Sequence, residues 1–169
     1  MYTSENIFRS KPALKAMVVT VLILIVSLSA LAQTAGIRWS VDGNSYYSVK
    51  ENELLQYTLP DNKSIVIISR QQLTPHGSTT PLKISYYTLT NDQQKALIFT
   101  NTKKVWRLQS KGDYWILDMK TGSLNQLGKT LPPSTLMFAK FSPDGKSVAY
   151  VSGNNIYMED ITTSKIRAL

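Results

Sequence analysis

Lys140-Phe141-Ser142-Pro143-Asp144-Gly145-Lys146-Ser147-Val148-Ala149-Tyr150-Val151 is the stretch whose reading decides the fold. An aromatic residue leads in, a four-residue turn follows, and an alternating apolar run leads away. Pro143 sets its own φ, Asp144 can bond back to the backbone, and Gly145 accepts φ > 0 without steric cost. The stretch is therefore predicted to be a β-hairpin.

The hairpin recurs. Set without gaps on Ile37 to Val49, it places Trp39 on Phe141, Ser40 on Ser142, Asp42 on Asp144 and Gly43 on Gly145. A further strand follows in both copies, Glu53 to Leu59 and Asn155 to Ile161, and Ser64 to Ile68 closes the first. A weaker third copy lies between them. Tyr86 to Phe99 is strand, polar turn and strand; Asp113 to Asp118 is a third strand, Lys120-Thr121-Gly122 a turn, and Ser123 to Leu127 a fourth strand. The turn aspartates Asp42, Asp92 and Asp144 are 50 and 52 residues apart. A period near that value with four short strands per unit is the mark of propeller blades.

The expected fold class is therefore all-β: about three β-propeller blades of four antiparallel strands, the third cut short, preceded by an N-terminal signal segment. Helix fits poorly, because no long window carries i, i+3, i+4 apolar spacing. A β-sandwich would give similar short strands, but not the same turn chemistry at the same phase. The stretch Thr100 to Gly112 reads as an insertion between the second and third strands of the middle blade. Long connections of this kind are often functional.

Residues 1–32 read as an export signal. Arg9, Lys11 and Lys15 precede an apolar run from Ala16 to Leu31, and the small-x-small site ends at Ala32. That run is shorter than the roughly 20 residues that span a bilayer. An uncleaved anchor is the alternative, and only then would the protein have a membrane partner. The domain reading is 1–32 signal and 33–169 partial propeller, and the product is expected to be exported, whether periplasmic, secreted or anchored in the envelope.

The net charge is +8, but it is spread out. Only Lys103, Lys104, Arg107 and Lys111 approach a cluster, with Trp106 and Tyr114 nearby. One hairpin's charge is not the basic face that nucleic-acid binding needs. Cysteine is absent, which excludes disulfides and thiolate metal sites. The single histidine, His76, lies in the loop Thr74-Pro75-His76-Gly77-Ser78 with no second histidine to share a metal. No Gly-x-Ser-x-Gly elbow occurs, so a Ser/His/Asp triad is not supported. Glu51 and Glu53 read as a solvated face rather than an acid–base pair. No cofactor, no metal and no catalytic residue is implied within this chain.

Three groups of residues carry a family resemblance. Arg38-Trp39 is followed by Tyr46-Tyr47 and Glu51-Asn52-Glu53-Leu54. Lys104-Val105-Trp106-Arg107 is followed by Asp113 to Asp118. Phe141 to Val151 leads into Asn154-Asn155-Ile156-Tyr157. In order and spacing, Arg38 to Leu169 resembles the N-terminal propeller of dipeptidyl peptidase IV-like enzymes, in the prolyl oligopeptidase family of serine peptidases. The resemblance implies a longer protein, with a C-terminal α/β-hydrolase domain that bears the catalytic residues and that this sequence lacks. It also implies a peptide substrate, cut to release N-terminal dipeptides with Pro or Ala second, and leaves a homodimer of the complete enzyme open. It maps one substrate-binding residue here, Arg107, supported by Trp106. The sequence departs from the family locally, with Leu108-Gln109 where His-Ser is frequent. Two other readings stand beside this one: a non-catalytic periplasmic binding propeller, and a stand-alone β-protein without activity.

Overall fold

The computed structural model describes residues 37–169, which form one compact unit. The expected signal segment, 1–32, lies outside the described residues.

Among the described residues twelve strands run in sequence order. They are β1 (Arg38–Trp39), β2 (Ser45–Lys50), β3 (Glu53–Thr58), β4 (Lys63–Ile68), β5 (Tyr86–Leu89), β6 (Lys95–Val105), β7 (Leu108–Asp118), β8 (Leu124–Gln126), β9 (Leu136–Phe141), β10 (Ser147–Ser152), β11 (Asn155–Asp160) and β12 (Ile166–Ala168). Each run of four forms an antiparallel meander, so three blades follow one another. Blade 1 is a separate sheet. Blades 2 and 3 are joined by a single bridge between Gly112 of β7 and Leu136 of β9. The last strand, whose start the sequence suggests at Lys165 to Leu169, is β12, which pairs with β11 through Ile166, Arg167 and Ala168.

The middle blade carries the packing. Along β6 every residue from Ala96 to Thr100 is buried, whereas a sheet with one wet face buries every second residue. Its alternate side chains enter two different cores. Ala96 and Ile98, with Leu117, join Tyr47, Leu54, Ile68 and Leu73 on the blade 1 side. Leu97 and Phe99, with Tyr114 and Ile116, join Leu136, Val148 and Tyr150 on the blade 3 side. Polar groups link the same joints. Tyr47 Oη donates to Gln93 Oε1 at 3.0 Å. Asn52 Nδ2 donates to the Leu82 carbonyl at 2.9 Å, and its Oδ1 accepts from Ile84 N at 2.8 Å. Between blades 2 and 3 the carboxylate of Glu159, 3% exposed, accepts from Gly128 N and from Tyr150 Oη, both at 2.9 Å.

The first turn of each blade repeats atom by atom. The hydroxyl of Ser40, Thr90 or Ser142 donates to Asp42, Asp92 or Asp144 at 2.5, 2.6 and 2.6 Å. Each hydroxyl accepts in turn from the N–H five residues on, at 3.1, 3.0 and 3.0 Å. Each aspartate also accepts from the N–H two residues on, at 3.1, 3.0 and 3.1 Å. These donors, the hydroxyl first, hold all three carboxyls below their ordinary 3.8. Gly43 and Gly145 take φ of 69° and 65° at the next position, and Gln93 takes 56° there in blade 2. Gln93 accepts that left-handed backbone while its amide oxygen receives the Tyr47 hydroxyl bond across the joint.

A second turn repeats as well. Asp118 Oδ1 accepts from Lys120 N and Thr121 N at 3.0 and 2.8 Å, and Asp160 Oδ1 accepts from Thr162 N and Thr163 N at the same distances. The chain reads Asp118-Met-Lys-Thr and Asp160-Ile-Thr-Thr at these places. This repeat was open to sequence reading and is an additional blade marker.

Two predictions follow from the joints and the turns. A Cβ on Gly112 would stand 2.5 Å from Phe99 Cε2 and 2.6 Å from the Thr100 carbonyl oxygen. Gly112→Ala should therefore destabilise the chain by about 1–3 kcal/mol, the usual range for overpacking; an unchanged melting temperature would contradict the close approach of β7 to β6 at this point. For the turns, a lowered carboxyl pKa gives stability that is full above 3.8 and is lost as pH falls through that value and below. Asp144→Asn should lower the melting temperature at neutral pH, and its difference from the parent should shrink on acidification through that window.

Candidate functional site

The stretch Thr100 to Gly112 is not an insertion loop. It is the continuation of β6 and β7 beyond the body of the blade, 11 residues in each strand. The pairs Lys103–Lys111, Lys104–Gln109 and Val105–Leu108 extend the ladder, leaving only Trp106 and Arg107 as the turn. The reason lies in the pattern: Thr102, Val105 and Thr100 favour extended backbone, and neither Pro nor Gly interrupts before Gly112. Trp106 takes φ 59° at the first turn position, the conformation that two-residue hairpin turns demand and that L-residues resist. The register shifts between Thr100 and Lys104, so the arm bends where it leaves the blade. Its root is pinned by Asp113, a buried carboxylate. Asp113 Oδ2 accepts from Asn101 Nδ2 at 2.7 Å and Oδ1 from Ser134 N at 2.6 Å.

The arm ends in charge and aromatic surface. Trp106 is 95% exposed, and Leu108 is also exposed. Arg107 is exposed, and among the described residues it has no ion pair and no side-chain hydrogen bond. Lys103 and Lys111 stand directly opposite each other, a like-charge pair that costs stability. No carboxylate lies on the arm between Thr100 and Gly112. The tip therefore presents a free guanidinium with fixed planar donors, suited to a carbonyl or carboxylate oxygen.

The other sequence candidates are not brought to this tip. His76 is exposed in its loop. Glu51 pairs with Arg70 at 3.2 Å, and Glu53 accepts from Arg70 N at 3.3 Å, so both serve the β2–β3 turn. Among the described residues no three His, Asp or Glu side chains converge as metal ligands.

A second concave feature lies away from the arm. A cavity of about 660 Å³ opens between β5 and β9, the first strands of blades 2 and 3. Arg38, Tyr86, Leu97, Tyr114, Phe138 and Lys140 are among its walls. In the core on the blade 1 side the Tyr87 hydroxyl is buried without a partner among the described residues, and burial pushes it up to about 12, against a smaller downward pull from Arg38. Arg38 is visible in the sequence as a strand residue, but its cavity is not. Phe138 carries no sequence signal, because its distinguishing feature is a backbone angle.

Residues 90–169 match the family described as Dipeptidyl peptidase IV (DPP IV) N-terminal region. The chain is similar to Probable dipeptidyl-aminopeptidase B of Aspergillus oryzae, 26% identical over 130 residues, which are 76% of this chain and 14% of that protein. The protein of the same name from Chaetomium globosum is 33% identical over 75 residues, 44% of this chain and 8% of its own. In fold, the chain is similar to the crystal structure of Porphyromonas gingivalis dipeptidyl peptidase 4, with a TM-score of 0.69 and 23% identity over 85% of this chain and 20% of that one. The chain thus spans about 14% of the length of the first of these relatives.

The strain at the tip yields a stability prediction. Trp106 buries almost nothing, so Trp106→Gly loses little packing and relieves a left-handed backbone worth about 1–2 kcal/mol for an L-residue. The melting temperature should hold or rise. A clear fall would mean that the indole is packed in solution.

Proposed function

We propose, from a chain whose residues 90–169 carry the dipeptidyl peptidase IV N-terminal region, that it supplies substrate access and anchoring to an exported serine exopeptidase. The complete protein would release N-terminal dipeptides with Pro or Ala in the second position. Its nucleophile, acid and base would lie in an α/β-hydrolase domain outside this sequence. The basic, apolar and small-residue order within residues 1–32 supports export.

The observation that carries the reading is the arm itself. A rigid two-stranded ladder holds Arg107 clear of the blade with no internal partner to compete for it. Its guanidinium keeps its charge at any working pH and can donate to a peptide carbonyl. The bend at the root and the Asp113 anchor aim the arm without placing a loop under it. Such an arm loses little entropy when it takes substrate, because its backbone is already ordered. Trp106 occupies the first turn position, next to Arg107, and offers an exposed aromatic face beside the guanidinium. Leu108 and Gln109 give the tip a flank less polar than the His-Ser frequent in the family.

The test is steady-state kinetics on X-Pro and X-Ala chromogenic substrates, using the complete protein that contains this chain. A hydrogen bond to a charged group contributes about 1.5–3 kcal/mol, which corresponds to about tenfold or more in kcat/KM. Arg107→Ala should produce that loss with the melting temperature unchanged. Unaltered kcat/KM would remove Arg107 from the substrate site. Absence of any dipeptide release from the parent would favour the binding-module reading.

A further inference from the structure

The cavity between β5 and β9 has features that the arm does not explain. Among its lining residues the charged ones are Arg38 and Lys140, both cations, and no Asp or Glu lines it. Neither cation has an ion pair or a side-chain hydrogen bond among the described residues. The remaining wall is largely aromatic and aliphatic, with Tyr86, Leu97, Tyr114, Phe138 and Phe141. Tyr86 and Phe138 are 60% and 64% exposed, large apolar groups facing open space.

Phe138 stands there under strain. It has φ 55° inside a strand, a region that bulky side chains avoid. The cause is a bulge. Lys140 pairs with Ala149 and Met137 with Val151, so Phe138 and Ala139 together oppose Tyr150 alone. Bulges of this kind re-aim side chains, and they cluster beside functional sites. Here the bulge brings the Phe138 ring into the wall of the cavity. Arg38 reaches the same cavity from another blade. It is paired with Tyr47, whose hydroxyl bonds to Gln93 of blade 2, so both side chains lie on the face of blade 1 turned to blade 2.

We propose that this cavity binds a ligand with one carboxylate and an apolar, preferably aromatic, body. Arg38 takes the carboxylate through charge-assisted hydrogen bonds, with Lys140 adding to the positive field. Phe138 and Tyr114 hold the body. The site is separate from Arg107 and does not rest on the peptidase reading. The same chemistry is offered by a free aromatic acid and by the C-terminal end of a peptide.

Calorimetric titration of the whole chain tests this with two pairs of probes. The first is N-acetyl-phenylalanine and its amide, and the second N-acetyl-Ala-Ala-Phe and its amide. In at least one pair the free acid should bind about tenfold tighter than the amide, as expected for one charge-assisted contact. Arg38→Gln should abolish that preference while leaving the melting temperature in place. Phe138→Gly should weaken acid and amide alike without lowering stability, since it relieves the left-handed backbone. Arg107→Ala should change none of this, which keeps the result distinct from the fate of the arm. Tighter binding of the tripeptide acid would identify a peptide end, and equal binding a small acid. Equal affinity for acid and amide in both pairs, an undiminished preference in Arg38→Gln, or no binding of any probe would overturn the proposal.

Discussion

Strand β6 must satisfy two cores at once, and the arrangement of the three blades depends on that. Ala96 and Ile98 point one way; Leu97 and Phe99 point the other. A sheet buried on both faces cannot slip by one residue without exchanging the two sets, so the register of the middle blade is strongly specified. Blades 1 and 3 each pack against one side of this plate. Their own strands alternate instead, as β10 does with Val148, Tyr150 and Ser152 buried and Ala149 exposed between them.

The joints between blades are apolar in bulk and polar at selected points. Buried carboxylates such as Glu159 and Asp113 are costly unless their oxygens are fully engaged. Here each accepts from a backbone N–H of a connecting segment and from a side-chain donor. The connecting segments are thereby held by the blades they join. The same economy governs the turns. Exposed aspartates close them by accepting from a hydroxyl and from backbone N–H groups, so the turn is defined locally before any blade packs.

The two features that bear on function come from departures from blade regularity. Extending β6 and β7 past the sheet makes an arm that ends in Trp106 and Arg107. Adding one residue to β9 makes a bulge that turns Phe138 into a cavity. Both hold a non-glycine residue at positive φ. Both present large aromatic surface to solvent. In both places the ladder resumes on either side of the irregularity.

Much of this was legible in the sequence. The turn residues Ser142, Asp144 and Gly145 act within a few positions of each other, so their chemistry is written locally, and its recurrence at Asp42 and Asp92 revealed the blades. Thr100 to Gly112 stood out because the repeat is interrupted there, and the family resemblance singled out Arg107 within it. What the sequence could not express is the fate of that interruption: Thr100 to Gly112 became ladder rather than loop because two strands found each other across the turn. The cavity was likewise beyond reading. Arg38, Tyr114 and Phe138 are far apart in the chain, and only inter-blade packing and a one-residue bulge bring them together. By itself the sequence determined turn chemistry, strand alternation and blade order, which are short-range properties. The tertiary structure alone decided which charged and aromatic side chains face one another, because that depends on contacts between residues distant in sequence.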